Sequence, residues 1–514
     1  MTVPVRPAGR VREYDADLPA HLVDMLHRTV AEVPDRTAFV DSHRSLTWSG
    51  FAAEVDELAG RLVGAGVEPG DRVALLSGNG VPYTVAVWAV WTAGGVVVPL
   101  NNRLHPDEMS RLVLDARPRV LLAGSGREDA AAHIGREAAV EVAHEDPATG
   151  RYLASGAAAP VPTGALTADS PAQIMYTSGT TGRPKGVVLS HRNAVQNSGT
   201  CTLVLGRRTD DVELIMVPQF NVTGLNSQTV PVVHRGMTGV LLDGFDPARV
   251  VDLVEQHGVT TTVGAPTMWW RILDAASDRP EALRTLRLAA YGGAPMPTAL
   301  LDRLVAALPD ATFGNGYGLT ETCSMITYLG GADALAHPSS VGRPLPITEL
   351  RLVDPSTGEE VPPGETGEIA VRGPQVASGY WAPSSLRPLT DEDGWFRTGD
   401  AARLEDGFVI LQDRLKDVIK RGGESIYCIE VEDVLHQHPA VLEAAVLGVP
   451  DPVYGETVAA HVVLRQGTEA TAEEITDFCR SRLAAFKAPR TVHFRSELPR
   501  NPGGKVLKAL MRTP

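Results

Sequence analysis

Residues 176–186 read YTSGTTGRPKG, with two glycines, one serine and three threonines ahead of Lys185 and Gly186. Glycine-freed backbone N–H groups, hydroxyls and an ammonium can together wrap a polyphosphate. The pattern is not a Walker A loop, which ends G-K-[ST] and opens a helix. Here Arg183 and Pro184 follow Gly182, and Gly186 follows Lys185. Residues 172–176 have the pattern of a short apolar strand, and 187–189 are a β-branched run of the same type. A helical pattern begins only near Ser190. The spacing therefore predicts a loop between two strands. SGTTG alone would be an ordinary surface linker; the following R-P-K-G weighs against that.

Four other stretches carry reactive residue types. GNGYGLTET (314–322) sets small residues around one aromatic, then two hydroxyls around a carboxylate. WFRTGD (395–400) ends on Asp400, and QDRLKDVIKRGGESIYCIEVE (412–432) places cations against a Gly-Gly turn ahead of a helical pattern. LPRNPGGKVLK (498–508) puts Lys505 in a glycine-rich turn. Singly each is weak, because a TGD tripeptide fits any turn and most lysines are solvated. In this order and spacing the set resembles the adenylate-forming superfamily of acyl-CoA synthetases, adenylation domains and luciferases, from the helix after Leu18 to Lys508. VTGLN, YGGAPMP and YGLTET are most similar to bacterial acyl-CoA and 4-coumarate-CoA-like ligases.

The resemblance implies an ATP-dependent carboxylic acid–CoA ligase working through an acyl-AMP, with ATP, Mg2+ and coenzyme A. It implies nucleotide contacts from Thr177, Ser178, Gly179, Thr180, Thr181, Gly182, Lys185, Gly292, Ala294, Pro295, Asn315, Gly316, Tyr317, Gly318, Thr320, Asp400 and Arg414. Tyr317 would stack on adenine, with Gly316 and Gly318 leaving room, and Asn315 would face the adenine edge. Asp400 and Arg414 would meet the ribose, Thr320 the α-phosphate, and Glu321 the Mg2+, which prefers hard oxygen ligands. Lys505 would bridge the attacking carboxylate and the α-phosphate, where two anions must approach. Lys420, with Arg421, Gly422 and Gly423, would line the CoA channel after a lid rotation about Lys416. Lys505, Lys420, Thr320 and Glu321 are thus the implied catalytic set. Phe220, Asn221, Val222, Val263, Tyr291, Gly292, Gly316 and Met325 would wall the acid pocket.

One position departs from the family. Where F-H-x-x-G-L is usual, this chain reads F-N-V-T-G-L, with Asn221 in the histidine's place. Asparagine keeps hydrogen-bonding capacity but does not titrate near neutrality. Neutral drift, a retuned acid pocket and altered chemistry all remain open. Altered chemistry would mean an adenylating enzyme that does not use CoA, such as an aryl-acid carrier-protein loader or an ATP-dependent diazotase using nitrite and an aryl amine. A degenerate nucleotide-binding regulator is a further alternative; retention of Lys185, Glu321, Asp400, Arg414 and Lys505 opposes it.

These residues must be placed by an α/β frame. Ser49 is placed to cap a helix with Phe51, Val55, Leu58 and Leu62 at helical spacing, ended by Gly64 and Gly66. DRVALLS then reads as a strand. The uncharged stretch 81–100 has the length of a membrane span, but Gly94-Gly95 and Pro99 break it into a core helix and a buried strand at 96–100. A second unit predicts a strand, an Asp246-capped helix and a strand at 260–263, the rhythm of a parallel sheet. Residues 124–170, rich in Ala, Gly and Pro, read as surface loops. The family fold implies a large domain, 1–412, of layered α/β sheets with a small β-barrel, and a small mobile α+β lid, 413–514.

A chain of 514 residues needs more than one core. Its net charge of -15 excludes a basic nucleic-acid-binding face as a dominant feature. Four widely spaced cysteines give neither metal spacing nor a disulfide framework, which points to a reduced cytoplasm. The expected partners are a small carboxylic acid and CoA or a carrier-protein thiol, with a homodimer possible.

Overall fold

The structure, a computed structural model, describes residues 5–8, 11–14, 17–154, 157–161, 164, 166–177, 184–294, 296–382, 386–415, 417–421, 424–500 and 506–511. Two large mixed sheets dominate it. The eight-stranded sheet runs, by strand, Gly379–Tyr380, Lys185–Ser190, Pro171–Thr177, Val96–Pro99, Arg72–Leu76, Val120–Ala123, Glu141–Asp146 and Arg151–Tyr152. The nine-stranded sheet runs Arg343–Pro344, Ser324–Gly330, Thr312–Leu319, Leu288–Gly292, Thr261–Gly264, Val212–Ile215, Thr238–Leu241, Thr37–Val40 and Ser45–Thr47.

The stretch at 81–100 shows how composition sets position. Helix Val81–Thr92 is apolar on every side and is buried on nearly every side, with Trp88 and Trp91 fully enclosed. Strand Val96–Pro99 is buried throughout and pairs in parallel with Arg72–Leu76. No helix among the described residues is long and apolar enough to cross a membrane. The second unit also forms as read: Thr238–Leu241, helix Pro247–His257 capped by the Asp246 side chain, then Thr261–Gly264.

Three expectations are corrected. Helix Trp48–Gly64 is capped by Thr47 rather than Ser49: Thr47 has extended backbone, and its hydroxyl accepts from the Gly50 N–H at 3.1 Å. The 124–170 segment is not all loop. It contains helix Glu128–Ala138 and strands Glu141–Asp146 and Arg151–Tyr152, the first of them parallel to Val120–Ala123. That helix buries only Ala131 and Ile134, so its apolar stripe is too thin to stand out in the sequence. The expected barrel is, among the described strands, an open antiparallel sheet ordered Glu349–Val353, Gly367–Arg372, Phe396–Glu405 and Phe408–Arg414. Both outer edges are already occupied. Val409 exchanges bonds with Val341 and Gly342 at 2.9 and 2.8 Å, and Leu352 accepts from the Val361 N–H at 3.0 Å.

A separate sheet orders Glu424–Ile426, Ile419–Arg421, Gly455–Leu464 and Val441–Asp451, with Thr491–Phe494 parallel to Gly455–Leu464. Its cores draw only on residues from Ile419 onward, and the other cores only on residues up to Leu411. The expected boundary at Gln412–Asp413–Arg414 falls in the last residues of strand Phe408–Arg414. All four cysteines are free and buried.

Candidate active site

The 176–186 stretch joins antiparallel strands, as its flanks imply: Thr177 pairs with Lys185 across Pro171–Thr177 and Lys185–Ser190. Ser190 caps the following helix, His191–Val204. Ser178, Gly179, Thr180, Thr181 and Gly182 lie outside the described residues, as do Pro295, Lys416, Gly422, Gly423 and Lys505.

Lys185 stands at the root of that loop, its ammonium 5.3 Å from the centre of the Tyr380 ring. Tyr380 is held there because Gly379–Tyr380 pairs with the same strand, Val187 opposite Tyr380. The Tyr380 hydroxyl donates to Glu321 Oε1 at 3.0 Å. Burial and the neighbouring carboxylate both push the Tyr380 phenol up, so it stays a donor. The Ala377 N–H also donates to the Glu321 carbonyl at 2.8 Å. Lys185 and Glu321, far apart in sequence, are thereby joined through Tyr380, a residue the motifs did not single out. Its only sequence signal is a short S-G-Y-W stretch.

Strand Thr312–Leu319 carries Asn315, Gly316, Tyr317 and Gly318 and runs directly into the Thr320–Thr322 turn. The Tyr317 hydroxyl donates to Asp400 Oδ2 at 2.7 Å, and Arg414 Nε lies 3.3 Å from Asp400 Oδ1. Asp400 and Arg414 face each other across their strand pair. Burial, then the Asp400 charge, hold the Tyr317 phenol well above its usual range. The space at the glycines is taken by protein atoms, not left open. A Cβ on Gly292 would lie 2.5 Å from the Gly316 carbonyl oxygen, and one on Gly318 would collide with the Ser324 carbonyl. After the turn, Cys323 (φ 54°) and Ser324 (φ 119°) occupy conformations rare for side-chain-bearing residues. Nothing in the residue types signals that strain.

The residues expected to wall the acid pocket fall into three groups. Val263 and Met325 share one cluster with Leu288 and Ala290 on one sheet face. Tyr291 alternates to the other face and packs with Trp269 and Met216, where burial pushes its phenol up to about 12. Phe220, Asn221 and Val222 lie on the turn into a π-helix, Thr223–Thr229; the Asn221 carbonyl accepts from the Leu225 N–H at 3.0 Å. π-Helical turns concentrate at functional sites. Ala294 is exposed. In the C-terminal sheet, the Lys420 N–H donates to Glu456 at 2.7 Å and Arg421 lies 4.3 Å over the Tyr454 ring.

No group of three or more His, Cys, Asp or Glu side chains among the described residues is placed to hold a metal. A single half-buried carboxylate, Glu321, fits Mg2+, which takes most of its ligands from phosphate and water.

Residues 26–381 match the family model described as AMP-binding enzyme, and 430–505 match AMP-binding enzyme C-terminal domain. A feruloyl-CoA synthase from Amycolatopsis sp is 38% identical over 492 residues, covering 93% of this chain and 96% of the relative. The ATP-bound structure of MatB from Rhodopseudomonas palustris, 32% identical, covers 96% of this chain and 98% of its own, with TM-score 0.88. The apo form of the same protein, at equal identity and coverage, gives 0.79. The o-succinylbenzoate CoA synthetase MenE from Bacillus subtilis, in complex with the acyl-adenylate OSB-AMP, is 32% identical, with TM-score 0.84 and coverage of 95% and 98%.

Proposed function

Because the chain belongs to the AMP-binding enzyme family, we propose that it is an ATP-dependent carboxylic acid–CoA ligase whose two half-reactions share the site built on strand Thr312–Leu319. The acid's carboxylate attacks the α-phosphorus of ATP, pyrophosphate leaves, and the CoA thiol then displaces AMP from the acyl-AMP. The observation that carries this is the joining of two sets by one strand and its turn. Tyr317, Asp400 and Arg414 form one; Glu321, Tyr380 and Lys185 form the other. The first offers acceptors and a cation suited to a nucleoside. The second offers a carboxylate and a cation suited to Mg2+ and polyphosphate.

Glu321, braced by Tyr380, would hold Mg2+, which when bound neutralises charge on the departing pyrophosphate. Lys185 and the loop it closes would cradle the β- and γ-phosphates, and Thr320 would contact the α-phosphate. Lys505 would bridge the reacting anions in one lid orientation, and Lys420 with Arg421 would serve the CoA channel in the other, with 1–412 and 413–514 as the moving units. The better superposition on the ATP-bound than on the apo form of MatB supports a lid placed for adenylation. Asp400→Ala is expected to weaken binding of ATP by about tenfold or more, since charge-assisted hydrogen bonds to a ribose diol are lost. Calorimetric titration with ATP checks this; unchanged affinity would take Asp400 out of the site.

Ferulate is the first acid to test, on the strength of the feruloyl-CoA synthase relative. The deciding experiment measures pyrophosphate release across aryl, amino-aryl and aliphatic acids, with and without CoA. The expected result is acid-dependent release that CoA accelerates, with thioester and AMP as products. Asn221 favours a second reading: a carrier-protein thiol or a nitrogen nucleophile in place of CoA. Release that CoA never accelerates, alongside product formed only with a carrier protein or with nitrite and an aryl amine, would replace the first reading with this one. Running Asn221→His on the same acids separates a retuned pocket, which shifts acid preference, from drift, which shifts nothing.

A further inference from the structure

Taking the lid to alternate as proposed above, we propose that Trp270 is a positioning residue: Arg465 of the C-terminal unit grips its indole and holds the lid in the adenylating orientation. The Arg465 guanidinium carbon lies 4.8 Å from the Trp270 ring centre, within cation–π range. The contact joins two units whose hydrophobic cores share no residue.

Both mounts are rigid. Trp270 sits on helix Pro266–Ala275, and its neighbour Trp269 is fully buried and donates from Nε1 to the Ala290 carbonyl at 3.0 Å. That bond pins the helix to the strand bearing Gly292. A second arginine, Arg303, lies 4.6 Å from the Trp270 ring centre and is itself neutralised by Asp274 at 2.7 Å. The indole is thus held from within its own unit before the lid reaches it. On the lid, the Arg465 N–H donates to the Ala440 carbonyl at 2.9 Å, and the Arg465 carbonyl accepts from the Thr468 hydroxyl at 2.8 Å. Arg465 has no carboxylate within ion-pair distance among the described residues, in a chain where acids outnumber bases 62 to 47. Its charge is directed at the indole instead. A guanidinium on an aromatic face is a contact that rotation can break and remake without stranding a buried charge. Helix Pro266–Ala275 also follows directly on the strand bearing Val263, so the grip lies one element from the acid pocket.

The test is the distance between spin labels on Leu114→Cys, in exposed helix surface of the body, and Glu473→Cys, exposed on the lid; the four native cysteines are buried. The probes are Mg2+ with α,β-methylene-ATP, then feruloyl-sulfamoyl-adenosine with CoA. The parent should show one main distance with the first probe and a different one with the second. Trp270→Ala and Arg465→Ala should each move the population ratio with the first probe by about three- to thirty-fold, the range of one cation–π contact. The double variant should move it no further. Ferulate-dependent pyrophosphate exchange should fall in proportion to the fraction left in the adenylating orientation, by at most that factor, while thioester formation from feruloyl-AMP and CoA is not slowed. Trp270→Phe should restore part of the ratio. Arg465→Ala keeps the test decisive if Trp270→Ala disturbs the body. A parent that alternates while both variants leave the ratio unmoved overturns the grip alone. A parent with one distance under both probes removes the alternating lid and the grip with it.

Discussion

Lys505→Ala is expected to slow acyl-adenylate formation by about 100- to 1000-fold, the usual loss for one preorganised donor at developing charge. Given synthetic acyl-AMP and CoA, the same variant should still form thioester. Lys420→Ala should show the reverse bias, with adenylation retained and thiol transfer slowed. The asymmetry has a structural basis in how the two lysines are mounted. Lys420 lies in strand Ile419–Arg421, paired with Gly455–Leu464. Lys505 lies outside the described residues, but both ends of its segment are fixed. Arg500 bridges Val506 and pairs with Glu443 at 2.8 Å, and Lys508 pairs with Glu432 at 2.8 Å. Leu498 and Met511 are buried in one cluster. The residues on either side of Lys505 thus belong to the C-terminal unit, and on the proposed alternation a rotation that brings Lys505 in would remove it from the second step. Pyrophosphate release and thioester yield, assayed separately for each variant, check this. Equal loss of both steps in both variants would rule out alternation.

The parts of the site legible in the sequence are those carried by contiguous residues. The two strands flanking 176–186 follow from local pattern, whereas strand Thr312–Leu319 and the facing of Asp400 and Arg414 emerge only in the structure, the resemblance having implied their roles but not their pairing. Tyr380 was not legible, because its place depends on a two-residue strand added at the edge of a sheet, a pairing no local periodicity announces. The same limit explains Trp270 and Arg465, each an ordinary surface type until the two units meet. The side of the sheet that Tyr291 takes was hidden for a different reason. A five-residue strand buried on both faces has no polar alternation to say which side its tyrosine takes.

The polar interior against the π-helix Thr223–Thr229 was equally hidden, since Arg, Glu, Gln and Ser are read as surface residues by default. Arg207 and Glu213 are fully enclosed and lie 3.2 Å apart. Arg207 also donates to the Ser227 carbonyl at 2.6 Å, while Glu213 accepts from Gln228 at 2.9 Å and from Thr261 at 2.5 Å. Ser227 and Gln228 belong to the π-helix Thr223–Thr229, so the pair ties that helix to the sheet. Removing one partner from such a pair leaves a buried charge unanswered, at a cost of about 3–5 kcal/mol. Arg207→Met is therefore expected to lower the melting temperature of the N-terminal unit by something on the order of 10 °C. Arg207→Met with Glu213→Leu should recover much of the loss, because the stranded charge is gone. Calorimetric melts of the single and double variants check both. The kinetic consequence should fall on the acid rather than the nucleotide. Phe220, Asn221 and Val222 precede the π-helix directly, whereas Asp400 and Arg414 stand on another sheet. A raised KM for the acid with an unchanged KM for ATP is the expected split. A single variant that melts with the parent would mean that the pair is hydrated in solution and does not secure the helix.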